Sequence, residues 1–348
     1  MNPIPSRRPM SAMGVAAMAA LALVPMSATA AIDDWARHLR VGAWIGFGLQ
    51  ADFTLAGSVP VSGVDPGVAG VPGLDHTYDN GFVRRDQTGN AQGLTSNWGY
   101  QDAGQLVGDD LVFRASRSFA VDDLARKEGG PHAGLDVGYG TMLGNWGETR
   151  WGFEFGFGLL PIVLSDFRTL NGSIRRTVHA YDTGGLQLPQ APYSGGVTGV
   201  GPLLGDTAVA LPDEVLPGEV RGARVIDAWL YNLRLGPQLY RELGGRWAVS
   251  AGAGAAMGIV VGDYRFDETV WVAGVAGANN LGAIGRTDVN AGAYANAMLL
   301  WHTNPDADFY VGVQWMTLGK TRFAEGNREG HLRMENGFQV VTGIRWPF

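Results

Sequence analysis

From Val41 onward the chain keeps returning to a period of two. Val41, Ala43, Ile45, Phe47, Leu49, Ala51, Phe53 and Leu55 fall on one side. Gly42, Trp44, Gly46, Gly48, Gln50, Asp52 and Thr54 fall on the other. Such alternation is the mark of a strand whose two faces meet different surroundings. Segment 150–163 repeats it, with Trp151, Phe153, Phe155, Phe157 and Leu159 set against Gly152, Glu154, Gly156 and Gly158. In all, eight segments are predicted as strands: 41–55, 131–143, 150–163, 223–241, 246–262, 287–303, 308–319 and 332–348.

The connections alternate in length. Segments 144–149, 242–245 and 304–307 are short and rich in Gly, Asn, Asp and Pro, which is turn chemistry. Connections 57–130, 164–222, 263–286 and 320–331 are long. Strict alternation of short and long is the asymmetry of a transmembrane β-barrel, with short turns at one rim and long loops at the other. Both chain ends then lie on the short-turn side, as an even strand number requires. Trp151, Tyr240, Trp247, Trp301 and Trp346 all fall near that rim, the level a membrane–water boundary favours for Trp and Tyr.

Glycine then has an explanation. It supplies 53 of the 348 residues, about twice the usual ~7%, with no Gly-X-Y period. The small residues crowd the face opposite the bulky apolar one, which suits the tight lumen of an eight-stranded barrel. The expected fold is all-β: a closed antiparallel up-and-down transmembrane barrel of eight strands with two long extracellular loops. Leu111–Ser118 and Ile174–Tyr181 read as further strands, extending the wall or raising the count to ten or twelve. Pro161 and Pro237 fall inside predicted strands, where a strand end or a bulge is expected.

The N-terminus carries Arg7 and Arg8, an apolar stretch Gly14–Val24 and a small-residue site Ala28-Thr29-Ala30. That is the layout of a secretory signal peptide over residues 1–30, leaving 31–348 as one barrel domain. There are no cysteines, so no disulfide and no thiolate metal site is possible. The net charge of −7 argues against nucleic acid as a partner.

The last segment places Met334, Asn336, Phe338, Val340, Thr342, Ile344, Trp346 and Phe348 on one face, and the chain ends on that Phe. This resembles the closing strand of Gram-negative outer-membrane β-barrels, of the small OmpA- and OmpW-like class. The resemblance implies that Ile344, Trp346 and Phe348 form the signal read by the barrel-assembly machinery. It also implies outer-membrane lipid as the surroundings. The loop stretch Thr77–Asp86, followed by Gly93–Gln101, is similar to a loop motif of outer-membrane barrel proteins of this size. It carries no active residues across.

Parity assigns Asp52, Asp136, Glu154, Arg234 and Arg345 to the lumen. Charges there pair or mark function. Glu154 and Arg234, on neighbouring strands, are expected to face each other, as a structural ion pair or as a gate in a narrow pore. Tyr78, Phe82, Trp98 and Tyr100 offer either an exposed aromatic binding surface or the packing of a long loop onto itself. None of the six histidines has metal-ligand spacing to another, and no cofactor is implied. His132, His331, Ser116, Ser118, Asp75 and Asp79 share the outer region where a barrel enzyme keeps its groups. The leading reading is a non-enzymatic barrel serving envelope structure, surface interaction or restricted small-solute passage. One alternative is an outer-leaflet barrel enzyme of the lipid acyl-transfer, hydrolytic or proteolytic type. Another is a soluble secreted β-sandwich binding protein, which must find a core for bulky faces opposed by glycine.

Replacing Phe348 with Asp, or deleting Trp346–Phe348, should lower the amount of assembled protein in the outer membrane, because charge on a lipid-facing strand is costly. Membrane fractionation checks this; parental levels in either variant would show that the C-terminus is not read in this way.

Overall fold

A computed structural model describes residues 37–55, 58–61, 63–121, 125–272, 275–304 and 306–347. The expected signal peptide 1–30 and the terminal Phe348 lie outside the described residues. The chain is all-β, dominated by one large antiparallel sheet. It has twelve strands among the described residues; eight of them, neighbours in one run, are β1 (Arg37–Phe47), β2 (His132–Trp146), β3 (Thr149–Asp166), β4 (Val209–Gly244), β5 (Trp247–Val272), β6 (Val275–Asn304), β7 (Ala307–Thr317) and β8 (Gly337–Pro347). Each strand pairs with its neighbour in this order. β8 pairs back onto β1, with Val41 opposite Ile344.

The short turns fall where the alternation predicts them. Trp146 pairs with Thr149, Gly244 with Trp247 and Asn304 with Ala307. Gly147 and Gly245 turn two of these hairpins with φ of +63° and +64°, a conformation that glycine reaches without strain.

Several expected boundaries move. Segment 41–55 is two strands. Gly48, at φ +82°, breaks the ladder after Phe47. Gln50–Leu55 then joins a second sheet with Ala125–Glu128, Lys320–Glu325 and Arg328–Arg333. Leu49, Ala51 and Phe53 therefore point into the core, not outward with Ile45 and Phe47. At the other end Met334 is buried and separate from β8, while Phe338, Val340 and Ile344 are exposed as expected and Trp346 is half-buried. Connection 263–286 is no loop: the ladder of β5 and β6 runs on through Gly262–Arg286 to Val272–Val275. Connection 320–331 is likewise a hairpin. Leu111–Ser118 and Ile174–Tyr181 do form strands (Asp110–Val121 and Leu170–Asp182). They pair with each other, and the second pairs with the first part of β4.

Neither proline ends or bulges its strand. Pro161 lies in β3 beyond its last pairing to β2 at Leu159, so only the β4 side is laddered there. Pro237 pairs with Phe153, but on its other side the register passes from Leu235–Ala255 to Gln238–Gly252 in the same frame. The ladder omits the bond that a proline cannot donate. Tyr240, expected at the rim with the tryptophans, points inward and is buried; Trp151, Trp247 and Trp301 are exposed.

The two faces of the wall are inverted relative to a water-soluble sheet. On β3, Phe153 and Phe155 are 44% and 43% exposed, while Glu154 between them is 4% exposed. The same order holds for Val41, Ile45 and Phe47 on β1 and for Phe309, Val311, Val313 and Trp315 on β7. The ordinary apolar core lies higher up, where Leu160, Ile162, Leu230, Val260, Phe323 and Leu332 pack together.

Glycines let the wall close tightly. A side chain at Gly42 would collide with the Thr342 carbonyl and the Tyr310 hydroxyl, and a backbone carbonyl cannot move aside. Gly42→Val should therefore abolish the protease-resistant folded form. Gly285→Ala, where the space is open, should leave it at parental yield.

Candidate functional site

The buried face carries two arginines in one rung of the ladder. Arg40 on β1 stands opposite Gly138 on β2, Gly138 opposite Gly156 on β3, and Gly156 opposite Arg234 on β4. Two arginines thus flank two glycines. A Cβ at Gly138 would lie 2.8 Å from Arg40 Nη2, and one at Gly156 2.7 Å from Arg234 Nη2. The glycines make the space into which the guanidinium groups fold. One rung away on either side stand the carboxylates, Asp136 opposite Gly158 and Glu154 opposite Gly140.

The charges close on one another. Arg40 Nη1 lies 2.7 Å from Asp136 Oδ2, and Nη2 donates to Glu154 Oε1 at 2.8 Å. Arg234 donates to Asp136 Oδ1 and to Gln314 Oε1. Gln314 Nε2 donates onward to Gln339 Oε1 at 2.5 Å. Tyr310 lies under Arg40 with 5.3 Å from guanidinium to ring, and Tyr294 under Arg234 with 5.9 Å. Two cations meet two anions, so the group is neutral, which is how charge survives inside a protein.

Of the five residues assigned to the lumen, three meet here: Asp136, Glu154 and Arg234. The direct Glu154–Arg234 pair does not form. Glu154 bonds Arg40, and Asp136 bridges the two arginines. Arg40 lies outside the sequence pattern because it precedes Val41, where the apolar alternation starts; its even parity is the signal that marks it. Arg345, opposite Arg40 on β8, turns toward the short-turn rim, 3.9 Å from Asp308 and 4.7 Å over the Tyr240 ring. Asp52 is elsewhere. It sits in the second sheet, 2.9 Å from Arg126 and 3.5 Å from Arg333, because Gly48 carries its strand away from the wall.

Above the charges Trp44, Leu160, Leu230, Met316, Leu318 and Met334 pack across the interior and leave a cavity of 10 Å³, room for about one water. A larger depression of 330 Å³ opens on the exposed face among Leu239, Val249, Ala251, Ala297 and Leu299, with Arg241 at its edge. Among the described residues no three His, Asp or Glu side chains gather to hold a metal ion.

The aromatic loop stretch builds a second core instead of an exposed surface. Trp98, Tyr100 and Tyr78 are buried with Leu111, Phe113, Tyr181 and Leu204; Phe82 is half-buried under Arg84. Trp98 Nε1 donates to Pro202 O at 2.8 Å. Asp86 ties this outer tip from inside its loop. It accepts from the Thr88 hydroxyl and the Thr88, Asn90 and Ser96 amides, and these bonds, the Thr88 hydroxyl first, hold its carboxyl down at about 2. The remaining outer candidates brace separate loops. Ser116 N–H donates to Asp79 Oδ2 at 2.7 Å, Asp75 accepts from the Arg85 amide, and His331 pairs with Glu329. They do not converge with His132, partly buried at the start of β2, or with Ser118, opposite Arg175.

No protein-family model matches the chain, and no curated protein matches it in sequence. Among solved structures it is similar to the outer membrane protease OmpT from Escherichia coli at 8% identity, TM-score 0.35, covering 90% of this chain and 96% of that one. It is also similar to Ail, the attachment invasion locus protein of Yersinia pestis, at 7% identity and TM-score 0.25, covering 88% and 98%. A Pseudomonas aeruginosa FadL homologue matches at 10% identity and TM-score 0.20, covering 90% of each chain.

Asp136→Asn should lower unfolding free energy by about 3–5 kcal/mol, since it strips both arginines of a shared partner. Asp52→Asn, facing a half-exposed Arg126, should cost at most about 1 kcal/mol. Urea titrations followed by tryptophan fluorescence in lipid vesicles compare them; equal losses would mean that the cluster is not the internal brace.

Proposed function

We propose that the chain is a plugged outer-membrane β-barrel of eight strands, closed by the β8–β1 seam, which carries a rigid tip outside the cell for surface interaction. It performs no catalysis of its own. It is exported behind a cleaved signal peptide and inserted by the barrel-assembly machinery. The observation that carries this reading is the band of exposed apolar side chains around a wall whose inner face holds buried charge. In water such a band would be a large apolar liability; against hydrocarbon it is the favoured surface. On β4 the band runs from Leu239 to Trp229, about ten residues, close to the ~9–11 that a tilted strand needs to cross a bilayer. Just above it the outward positions become Asp227, Asp263 and Arg265, paired at 3.3 and 2.6 Å.

The filled interior favours surface interaction over small-solute passage. β5 and β6, of 26 and 30 residues, reach roughly 85–100 Å at ~3.3 Å per residue. They stand far taller than a bilayer and lift the tip clear of it. The dispersed Ser, His and Asp candidates favour the non-enzymatic reading, since hydrolysis needs them within hydrogen-bond reach.

Cysteine labelling tests the placement cleanly, because the chain has none of its own. On intact cells a membrane-impermeant maleimide should label Val200→Cys, whose parent side is 81% exposed at the tip. It should reach Glu148→Cys in a short turn only after lysis. The protein should also migrate faster in gels unboiled than boiled. Recovery without detergent as a soluble protein, or outside labelling of Glu148→Cys, would overturn the reading.

A further inference from the structure

The tip holds a buried polar group for which surface display has no use. His76 and Tyr78, on the short strand His76–Tyr78, meet His179 and Tyr181 on Leu170–Asp182. Their exposures are 0, 3, 3 and 0%. The Tyr78 hydroxyl is the hub, 2.8 Å from His179 Nδ1 and 2.8 Å from the Tyr181 hydroxyl. A hydroxyl donates once. With Nδ1 bare and His179 neutral, Tyr181 donates to Tyr78 and Tyr78 to His179; with Nδ1 protonated, Tyr78 accepts from it and turns its own proton to Pro66 O at 3.4 Å. His76 Nδ1 lies 2.7 Å from Pro66 O. A carbonyl only accepts, so Nδ1 carries the proton there, and the buried Nε2 faces no partner.

A strap, residues 63–75, closes over this group. Pro66 O holds His76 and lies 3.4 Å from the Tyr78 hydroxyl. Asp65 O accepts from the Thr77 amide at 2.6 Å. Farther along, Gly70 N–H donates to Ala208 O at 2.8 Å and Gly73 N–H to Asp206 Oδ2 at 3.0 Å. Gly67, at φ +65°, presses on the His76 ring so closely that no side chain fits.

We propose that this strap is an acid-released cover. Uptake of a solvent proton at His179 leaves a cation buried at 3% exposure, and opening of the strap at Pro66 hydrates it and bares the aromatic core formed by Tyr78, Phe113 and Tyr181. Burial, then the neighbouring His76, hold His179 below the ordinary histidine range; Arg117 from Asp110–Val121 adds to this, and Asp213 from β4 opposes it. Asp65 from the strap and Asp206 face the two tyrosines. A histidine kept neutral when closed and free to titrate near ~6.5 when open makes the closed form most stable above that pH. As pH falls below it, the open population rises about tenfold per unit, until the lowered closed-state value is reached. Asp86, held at about 2, stays charged throughout. The inference concerns the tip alone and does not depend on what surrounds the wall.

Hydrogen exchange of the full-length protein in detergent micelles, corrected for intrinsic rates, reads the opening. Between about pH 7.5 and about pH 5, peptides over 63–78 should gain at least roughly tenfold in exchange, while peptides over 149–166 and 307–317 stay unchanged. His179→Asn keeps a neutral acceptor at the δ position and should remove the acid response. Absence of a response in the parent, or the same response in His179→Asn, overturns the proposal. Should His179→Asn be open already at about pH 7.5, the parent's midpoint decides. A midpoint between about 4.5 and 6.5 with net proton uptake supports the histidine, and one below about 4 assigns the change to carboxylates and overturns it.

Discussion

A strand shows its two faces in strict alternation, and the rest of this structure follows from how that constraint is met. A wall that turns Phe153 and Phe155 outward must turn Glu154 and Gly156 inward. At the level of Arg40 and Arg234 the inner face carries glycine and charge in place of bulky apolar groups. Gly138 and Gly156 leave a trough, and Arg40 and Arg234 lie down in it. The arginines then need anions, which Asp136 and Glu154 supply from adjacent rungs. Glycine content, buried charge and exposed aromatic residues are thus one arrangement seen from three sides.

The wall changes character with height. Above the charge cluster its interior becomes a conventional apolar core, and the strands continue well past the apolar band. A second ionic group fastens this upper part. Arg224 Nε donates to Glu268 at 2.5 Å and lies 3.4 Å from Asp166, while Arg328 also pairs with Glu268. It joins β3, β4 and β5 to the hairpin Lys320–Arg333. Buried ion pairs add little net stability, but losing one partner is expensive, so both groups fix register. The tip stands on that stiff base with its own aromatic core. Its edge strand is guarded: Asp79 and Asn80 side chains accept the Ser116 and Arg114 amides that would otherwise be open to pairing.

Much of the wall was legible in the sequence because its outer face is uniformly apolar. Each of the eight segments read from alternation falls on strand, and the three short turns fall where it places them. It stopped where the outward residues become polar. Asp263, Arg265 and Asp267 hide the continuation of β5 and β6 from a hydrophobic period, although the ladder itself runs on to Val272–Val275 past one irregularity between Thr269 and Trp271. Parity brought Asp136, Glu154 and Arg234 to one face but not to their partners, since register across strands is invisible in one strand's pattern. Asp52 was misplaced by one backbone event, the positive φ at Gly48, after which the same parity points the other way. The aromatic tip was legible in composition, and its burial was not, because packing partners such as Phe113 and Tyr181 lie on distant segments.

The proposed membrane placement requires that the exposed apolar face meet hydrocarbon. Nitroxide labels placed singly at Phe153, Phe155, Val313 and Val340, with the protein in lipid vesicles, test it most directly through collision rates with oxygen and with a water-soluble nickel chelate. High oxygen and low nickel accessibility is expected at all four, and the reverse for a label at Val200. High nickel accessibility at Phe153, Phe155, Val313 and Val340 would contradict it.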